Sequence, residues 1–280
     1  MKKQKKIFKV KDHFLSNELF SLTYVQNTAM FVTSPKPDED KMASYYESSR
    51  YLSHQKTGND FFSKAYFFSR QFTTSLKIRM ISSLFSKPGK VLDVGSGTGE
   101  LLTALKNKGW NVKGIEPNKA AKQTAFDKGI SHEHSLGEVE KNSLDLVVFW
   151  HSLEHVYALN NTLNEVKKIL KPTGILMVAC PNHESWDAKY YGNFWAAWDV
   201  PRHLSHFSSK SLNIILKPQG FKLVRKSPLF LDAIYVSILS EKIKKNKLVF
   251  LKGLIVGLVS NLAGFFTKNY SSHVYFFKNN

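Results

Sequence analysis

Asp93, Gly95, Gly97, Gly99 and Glu116 are the residues of this chain best spaced for chemistry. Residues 91–94 have strand character and residues 100–106 are helix formers, so the three glycines fill a strand-to-helix turn. A turn of that kind offers bare backbone to a ligand, because a Cβ there would collide with it. A dinucleotide loop is spaced G-x-G-x-x-G and needs no carboxylate inside its strand. Here the spacing is G-x-G-x-G with Ser96 between the first two glycines, and Asp93 stands two residues before the loop. A carboxylate in that place suits a ligand with a cationic amino-acid end. A second acid follows at the end of the next strand: residues 110–115 read as a short strand and lead into Glu116-Pro117. In a doubly wound sheet, a carboxylate about 20 residues beyond the loop accepts the ribose hydroxyls of an adenosine ligand.

The elements that must hold these residues alternate regularly. Residues 118–128 read as a helix ended by Gly129, and residues 145–149 as a buried strand. An amphipathic helix is expected over 152–170, a turn at 171–174 and a strand over 175–180. Ser208 caps a helix running to about Leu216, residues 221–224 begin another strand, 231–266 read as two helices, and Tyr275-Phe276-Phe277 as a closing strand. The expected fold is α/β: a Rossmann-like, doubly wound, seven-stranded and mostly parallel sheet with an N-terminal extension and a C-terminal helical insertion. Four serial segments follow: an extension and helical lid at 1–75, partly stranded over 1–35 and mostly helical over 41–88; a core at 76–230; a helical insertion at 231–269; and the final strand at 270–280.

Composition bounds the rest. The single cysteine, Cys180, excludes an internal disulfide and a cysteine-based zinc cluster, and no metal is expected. Lysine and arginine number 40 against 22 aspartates and glutamates, a formal charge of +18. Such a surface suits nucleic acid, an anionic membrane or plain solvation. No RNA-binding module or basic–aromatic repeat accompanies it, so nucleic acid is not favoured. The basic N-terminus leads into no long apolar stretch, which points to a cytoplasmic protein. Residues 248–266 are apolar but interrupted by Lys252, Ser260 and Asn261. They read as a packed helix shorter than a bilayer requires. With Lys242, Lys244, Lys245 and Lys247 just ahead, the second reading is an interfacial helix on anionic lipid at the inner face of the membrane.

The stretch VLDVGSGTGE, residues 91–100, resembles motif I of the class I S-adenosylmethionine-dependent methyltransferases, hhDhGxGxG, at every position. Trp150-His-Ser-Leu-Glu-His155 resembles the LEHV segment of the bacterial quinone-biosynthesis-like branch. Pro201-Arg-His-Leu204 with His206-Phe207, and the run from Tyr45 to His54, resemble segments of bacterial methyltransferases of that branch. The resemblance implies S-adenosylmethionine as methyl donor and S-adenosylhomocysteine as product. It implies cofactor contacts from Asp93, Gly95, Ser96, Gly97, Gly99, Glu116, Pro117, Trp150 and His151. Many relatives hold the adenine amino group with an aspartate after the third strand, and residues 132–137 offer no clear acid there.

Methyl transfer is an in-line displacement, so alignment in a dry pocket supplies most of the rate. Rings can stabilise a cationic donor, and Tyr190, Tyr191, Trp195 and Trp198 cluster in sequence. These four, with Arg202, Tyr51 and His54, are the expected substrate contacts; Arg202 would pair with an acidic substrate group or tie down its loop. A hydroxyl acceptor needs a base, and the candidates are His203, then His151 and His206. The leading expectation is methylation, at oxygen, of a small-molecule or lipid-like acceptor. The alternatives are an RNA methyltransferase and a protein that binds the cofactor without transferring methyl.

Overall fold

The computed structural model describes residues 7–46 and 73–280. The chain forms two compact units, and they interleave along the sequence. The described residues of one are 73–150, 161–177 and 278–280; those of the other are 7–46, 151–160 and 178–277.

In the first unit, β4 (Lys90–Val94) is followed by α3 (Glu100–Lys106), β5 (Asn111–Ile115), α4 (Lys119–Asp127), β6 (Ser131–His132) and β7 (Leu144–Trp150). Residues 73–82, α2, are helical ahead of β4. Strand β4 runs parallel to both β5 and β7, with Asp93 opposite Gly114 on one side and Val148 on the other. Because β5 and β6 wind away from β4 on one side and β7 lies on the other, the carboxyl end of β4 is the switch point of the sheet. The parallel strands are continuous apolar runs, as strands covered on both faces must be: Val91, Leu92, Leu146, Val147, Val148 and Phe149 are buried. The whole sheet has seven strands in the order β10-β11-β8-β7-β4-β5-β6, the mostly parallel architecture that the alternating elements imply. Three of those strands are β8 (Leu170–Pro181), β10 (Phe221–Pro228) and β11 (Ser272–Asn279).

Two boundaries differ from expectation. Helix α5 (Leu159–Ile169) starts later than the expected residue 152, and residues 153–155 form a separate single turn. Residues 171–174, expected as a turn, belong to β8. Lys171 reaches Asp145 Oδ1 at 2.7 Å, and Gly174 lies so close to β7 that an added Cβ would stand 3.1 Å from the Leu144 carbonyl oxygen. Those contacts hold a Pro-Thr-Gly sequence extended against its local preference.

The other unit opens with an antiparallel meander, β1 (Ile7–Lys11), β2 (Leu19–Val25) and β3 (Met30–Ser34). The fourth strand of this sheet is β9 (Ser205–His206), which sets His206 opposite Phe31. That long-range pairing is why the N-terminal extension shares a unit with residues 178–277 instead of forming a serial segment. Of the helices expected over 41–88, α1 (Glu39–Met42), the turn Ala43–Tyr46 and residues 73–82 are seen; the segment between lies outside the described residues. Helices α6 (Trp186–Tyr191) and α7 (Ser209–Leu216) precede β10. The two expected C-terminal helices are α8 (Phe230–Ile243) and α9 (Val249–Thr267). Helix α9 corrects the length argument: its 19 residues are long and apolar enough to cross a membrane, and only 28% of its most apolar window is buried.

Candidate functional site

The loop after β4 is built by hydrogen bonds to its neighbour strand. Gly95 and Ser96 donate to the Ile115 carbonyl oxygen at 2.8 and 3.2 Å, which folds the turn over the end of β5. Gly95, Gly97 and Gly99 take φ of 81°, 54° and 74°, a region that side chains with a Cβ avoid. The last two serve different purposes. A Cβ on Gly99 would meet that of Ala125 at 2.9 Å, so this glycine lets α4 pack close. A Cβ on Gly97 would meet nothing within 4 Å among the described residues, so that side of the glycine faces open space.

Glu116 is drawn into the same loop. Its Oε2 accepts from Gly97 N and its Oε1 from Asn118 N, each at 2.8 Å. A carboxylate has about four lone-pair sites, so each oxygen keeps one for a ribose hydroxyl. Pro117 lies between these two donors' anchor points, and Asn118 caps α4 by accepting from Ala121 N. Ser96 Oγ lies 3.3 Å from His132 Nε2, and both crowd the backbone of Gly114. Of the acids around the adenine position, Glu133 pairs with Lys113 and Glu138 accepts from its own loop at His134 N.

Asp93 is the decisive residue. It is 3% exposed, and its Oδ1 has no hydrogen-bond partner among the described residues. Burial, joined by the nearby Glu116, raises its carboxyl to about 7, although Lys77 opposes the rise. Lys77, on α2, also holds its ammonium 4.0 Å over the Trp150 ring. Sequence reasoning did not single out Lys77: a lysine on an amphipathic helix carries no motif. A buried carboxylate with one oxygen unpartnered among the described residues, beside a glycine loop and a two-oxygen acceptor, fits the amino-acid end and ribose of S-adenosylmethionine.

The family comparison decides the matter. A family model described as a methyltransferase domain matches residues 69–226, more than half of the chain. The chain belongs to the methyltransferase-domain family. Curated relatives of this methyltransferase-domain chain include a ubiquinone biosynthesis O-methyltransferase of Haemophilus ducreyi, 35% identical over 115 residues, 36% of this chain and 48% of that one. Another, from Erwinia tasmaniensis, is 30% identical over 133 residues, 43% and 54% respectively. The chain thus spans about half the length of the curated relatives it matches. Solved structures with the same fold include geranyl diphosphate C-methyltransferase from Streptomyces coelicolor A3(2), with TM-score 0.58 at 11% identity over 86% of this chain and 97% of that one. Magnesium protoporphyrin IX methyltransferase from Synechocystis PCC 6803 is similar, with TM-score 0.57 at 14% identity over 87% and 100%.

The expected bases and substrate contacts fall in the other unit. His151 has a positive φ of 51° and sits between two carboxylates, Nε2 3.1 Å from Asp232 and Nδ1 3.6 Å from Glu154. Burial alone would lower its pKa, but the two acids raise it to about 10, so at neutral pH it is charged and has no lone pair for a base. His206 is also committed. Thr33 Oγ1 spends its one proton on the His203 carbonyl at 2.6 Å, so His206 Nε2, 2.9 Å away, is the donor to that hydroxyl. Burial and the neighbouring His203 and His183 push its pKa well down. His203 donates from Nδ1 to the Ala197 carbonyl at 3.0 Å, which leaves Nε2 facing Asp199 Oδ2 at 3.9 Å. His203 and His206 thus each commit one ring nitrogen as a donor and leave the other outside those bonds. His155, not singled out from the sequence, lies ring to ring with His203 at 4.7 Å, and burial lowers it to about 4.

The ring cluster is largely core. Tyr191, Trp195 and Trp198 pack with Val10, Phe20, Leu22 and Phe31, while Tyr190 stays half exposed and stacks on Trp186. These buried rings brace the meander rather than present faces. Arg202 is fully enclosed; it donates to Asp12 Oδ1 at 2.9 Å, Asp199 Oδ1 at 2.8 Å and the Tyr45 carbonyl at 3.0 Å. Of its two expected uses, those contacts describe the tying of its loop. Tyr51 and His54 lie outside the described residues.

Proposed function

We propose that this chain transfers a methyl group from S-adenosylmethionine to a hydroxyl of a small-molecule or lipid-like acceptor. The observation that carries the reading is the buried Asp93 carboxylate at the switch point, whose Oδ1 has no hydrogen-bond partner among the described residues, beside Gly97. When bound, S-adenosylmethionine supplies an electrophilic methyl group on a sulfonium. Asp93 receives the ammonium, Glu116 accepts the ribose hydroxyls while it holds the loop, and Gly97 allows contact with the backbone. The choice of oxygen is supported by the curated relatives, which carry that activity in ubiquinone biosynthesis. The acceptor hydroxyl must lose a proton, and His203, which donates from Nδ1 to the Ala197 carbonyl, is the candidate base.

One observation favours a second reading, in which the cofactor binds without transfer: His151, one of the three candidate bases, is held between two carboxylates. Calorimetric titration with S-adenosylmethionine and S-adenosylhomocysteine tests the shared part. Micromolar binding is expected, abolished in Asp93→Ala and Glu116→Ala. Folded wild-type protein that binds neither ligand would end both readings. Transfer of labelled methyl to phenolic acceptors, lost in His203→Ala with ligand affinity unchanged, separates the first from the second.

A further inference from the structure

Helix α9 is built inside out for a helix in water. Its buried side is small: Gly253, Val256, Gly257, Ser260 and Gly264. A Cβ on Gly253 or Gly257 would stand 2.6 Å from the backbone of Ile238 or Ile234, so α8 and α9 touch backbone to backbone there. Its large apolar side chains point the other way: Leu254, Ile255, Leu258, Leu262, Phe265 and Phe266 are 43–74% exposed. They recur every three or four residues and therefore form one stripe. Small residues at the helix contact and large ones outside is how helices pack when lipid, not water, surrounds them. A stripe of this size on a soluble protein marks a place where something else binds.

The charges indicate what binds. Residues 230–268 hold six lysines, Lys242, Lys244, Lys245, Lys247, Lys252 and Lys268, and two acids, Asp232 and Glu241. Both acids are engaged within the unit, Asp232 by His151 and Glu241 by Tyr191 and Asn246. The exposed surface of the hairpin is thus apolar with a cationic fringe, complementary to an anionic bilayer and its acyl boundary. A span is opposed by the helix's ties along its length: Ser260 Oγ donates to buried Asp187 at 2.7 Å and Asn261 Nδ2 to the Phe230 carbonyl at 3.0 Å.

We propose that the outward stripe of α9, flanked by the lysines of the α8–α9 turn, docks this protein on an anionic phospholipid bilayer, lying in the interface rather than crossing it. Docking involves no methyl transfer, so its test stands or falls apart from the proposed activity. The full chain is sedimented with vesicles of phosphatidylcholine alone and of phosphatidylcholine mixed with phosphatidylglycerol, at low and high salt. Wild type is expected to pellet with the anionic vesicles at low salt and to stay in solution with the neutral ones. Lys244→Gln/Lys245→Gln/Lys247→Gln should bind roughly a hundredfold more weakly. Leu254→Gln/Leu258→Gln, two exposed sites, should lose binding with its thermal melt unchanged. Wild type that ignores anionic vesicles, or a leucine variant that binds as wild type does, would overturn the proposal. So would self-association that the leucine pair abolishes in a protein without vesicle affinity, which would assign the stripe to a second copy.

Discussion

Asp93 and Glu154 are both buried carboxylates, 3% and 1% exposed, and burial by itself raises the pKa of each. Their outcomes are opposite. Among the described residues, Asp93 is opposed by Lys77 and ends near 7, with Oδ1 unpartnered. Glu154 faces His151, His203 and His155 and ends below the usual carboxylate range. The first acid is left with a free-energy cost that a cationic ligand relieves; the second is relieved by the charge of neighbouring imidazoles, although neither of its oxygens has a hydrogen-bond partner among the described residues. Buried acids are therefore poor markers of a site until their neighbours are known. The same contrast separates Gly97, which faces open space among the described residues, from the ion-paired network of Arg202, Asp12 and Asp199.

The closed region breaks most readily. Arg202→Ala would strand Asp12 as a buried charge and Asp199 as a partly buried one, and should cost about 3–5 kcal/mol, read from denaturant unfolding. A loss under about 1 kcal/mol would show that solvent screens the network. The open region should respond through ligand affinity instead. Asp93→Asn, which keeps the shape and removes the charge, should weaken S-adenosylhomocysteine binding about a hundredfold.

The pH dependence sharpens the same point. With its carboxyl raised to about 7, Asp93 carries a proton below that pH and must shed it to meet an ammonium. Ligand affinity should then fall about tenfold per unit below pH 7, level off above it, and be flat in Asp93→Asn. For the fold the sign is reversed. A raised carboxyl stabilises the native state while protonated, and that contribution is lost as pH rises through about 7. Ligand-free Asp93→Asn should melt above wild type in alkaline buffer, and a lower melting temperature would refute the raised pKa. The smallest effect belongs to Gly97→Ala: the left-handed backbone should cost about 1 kcal/mol, with reduced ligand affinity.

Much was legible in the sequence because it rests on neighbours in the chain. The strand–glycine–helix turn, Glu116 at the end of β5 and the alternation of strands and helices are short-range patterns, and the sheet that they imply is present. The same holds for the two C-terminal helices and the closing strand, whose apolar runs and breaks are local. Lysine excess and apolar helix residues were also visible, but not their geometry. Only the tertiary structure decided which polar residues stay open. Arg202 meets Asp12 across 190 positions, His151 meets Asp232 and Glu154, and a strand of two residues at Ser205–His206 joins the N-terminal meander. It also turned α9 so that glycines face the protein and leucines face away. Local pattern fixes what each segment becomes, whereas burial and long-range pairing fix whether a charge or an apolar face is already satisfied, and that depends on residues no short window contains.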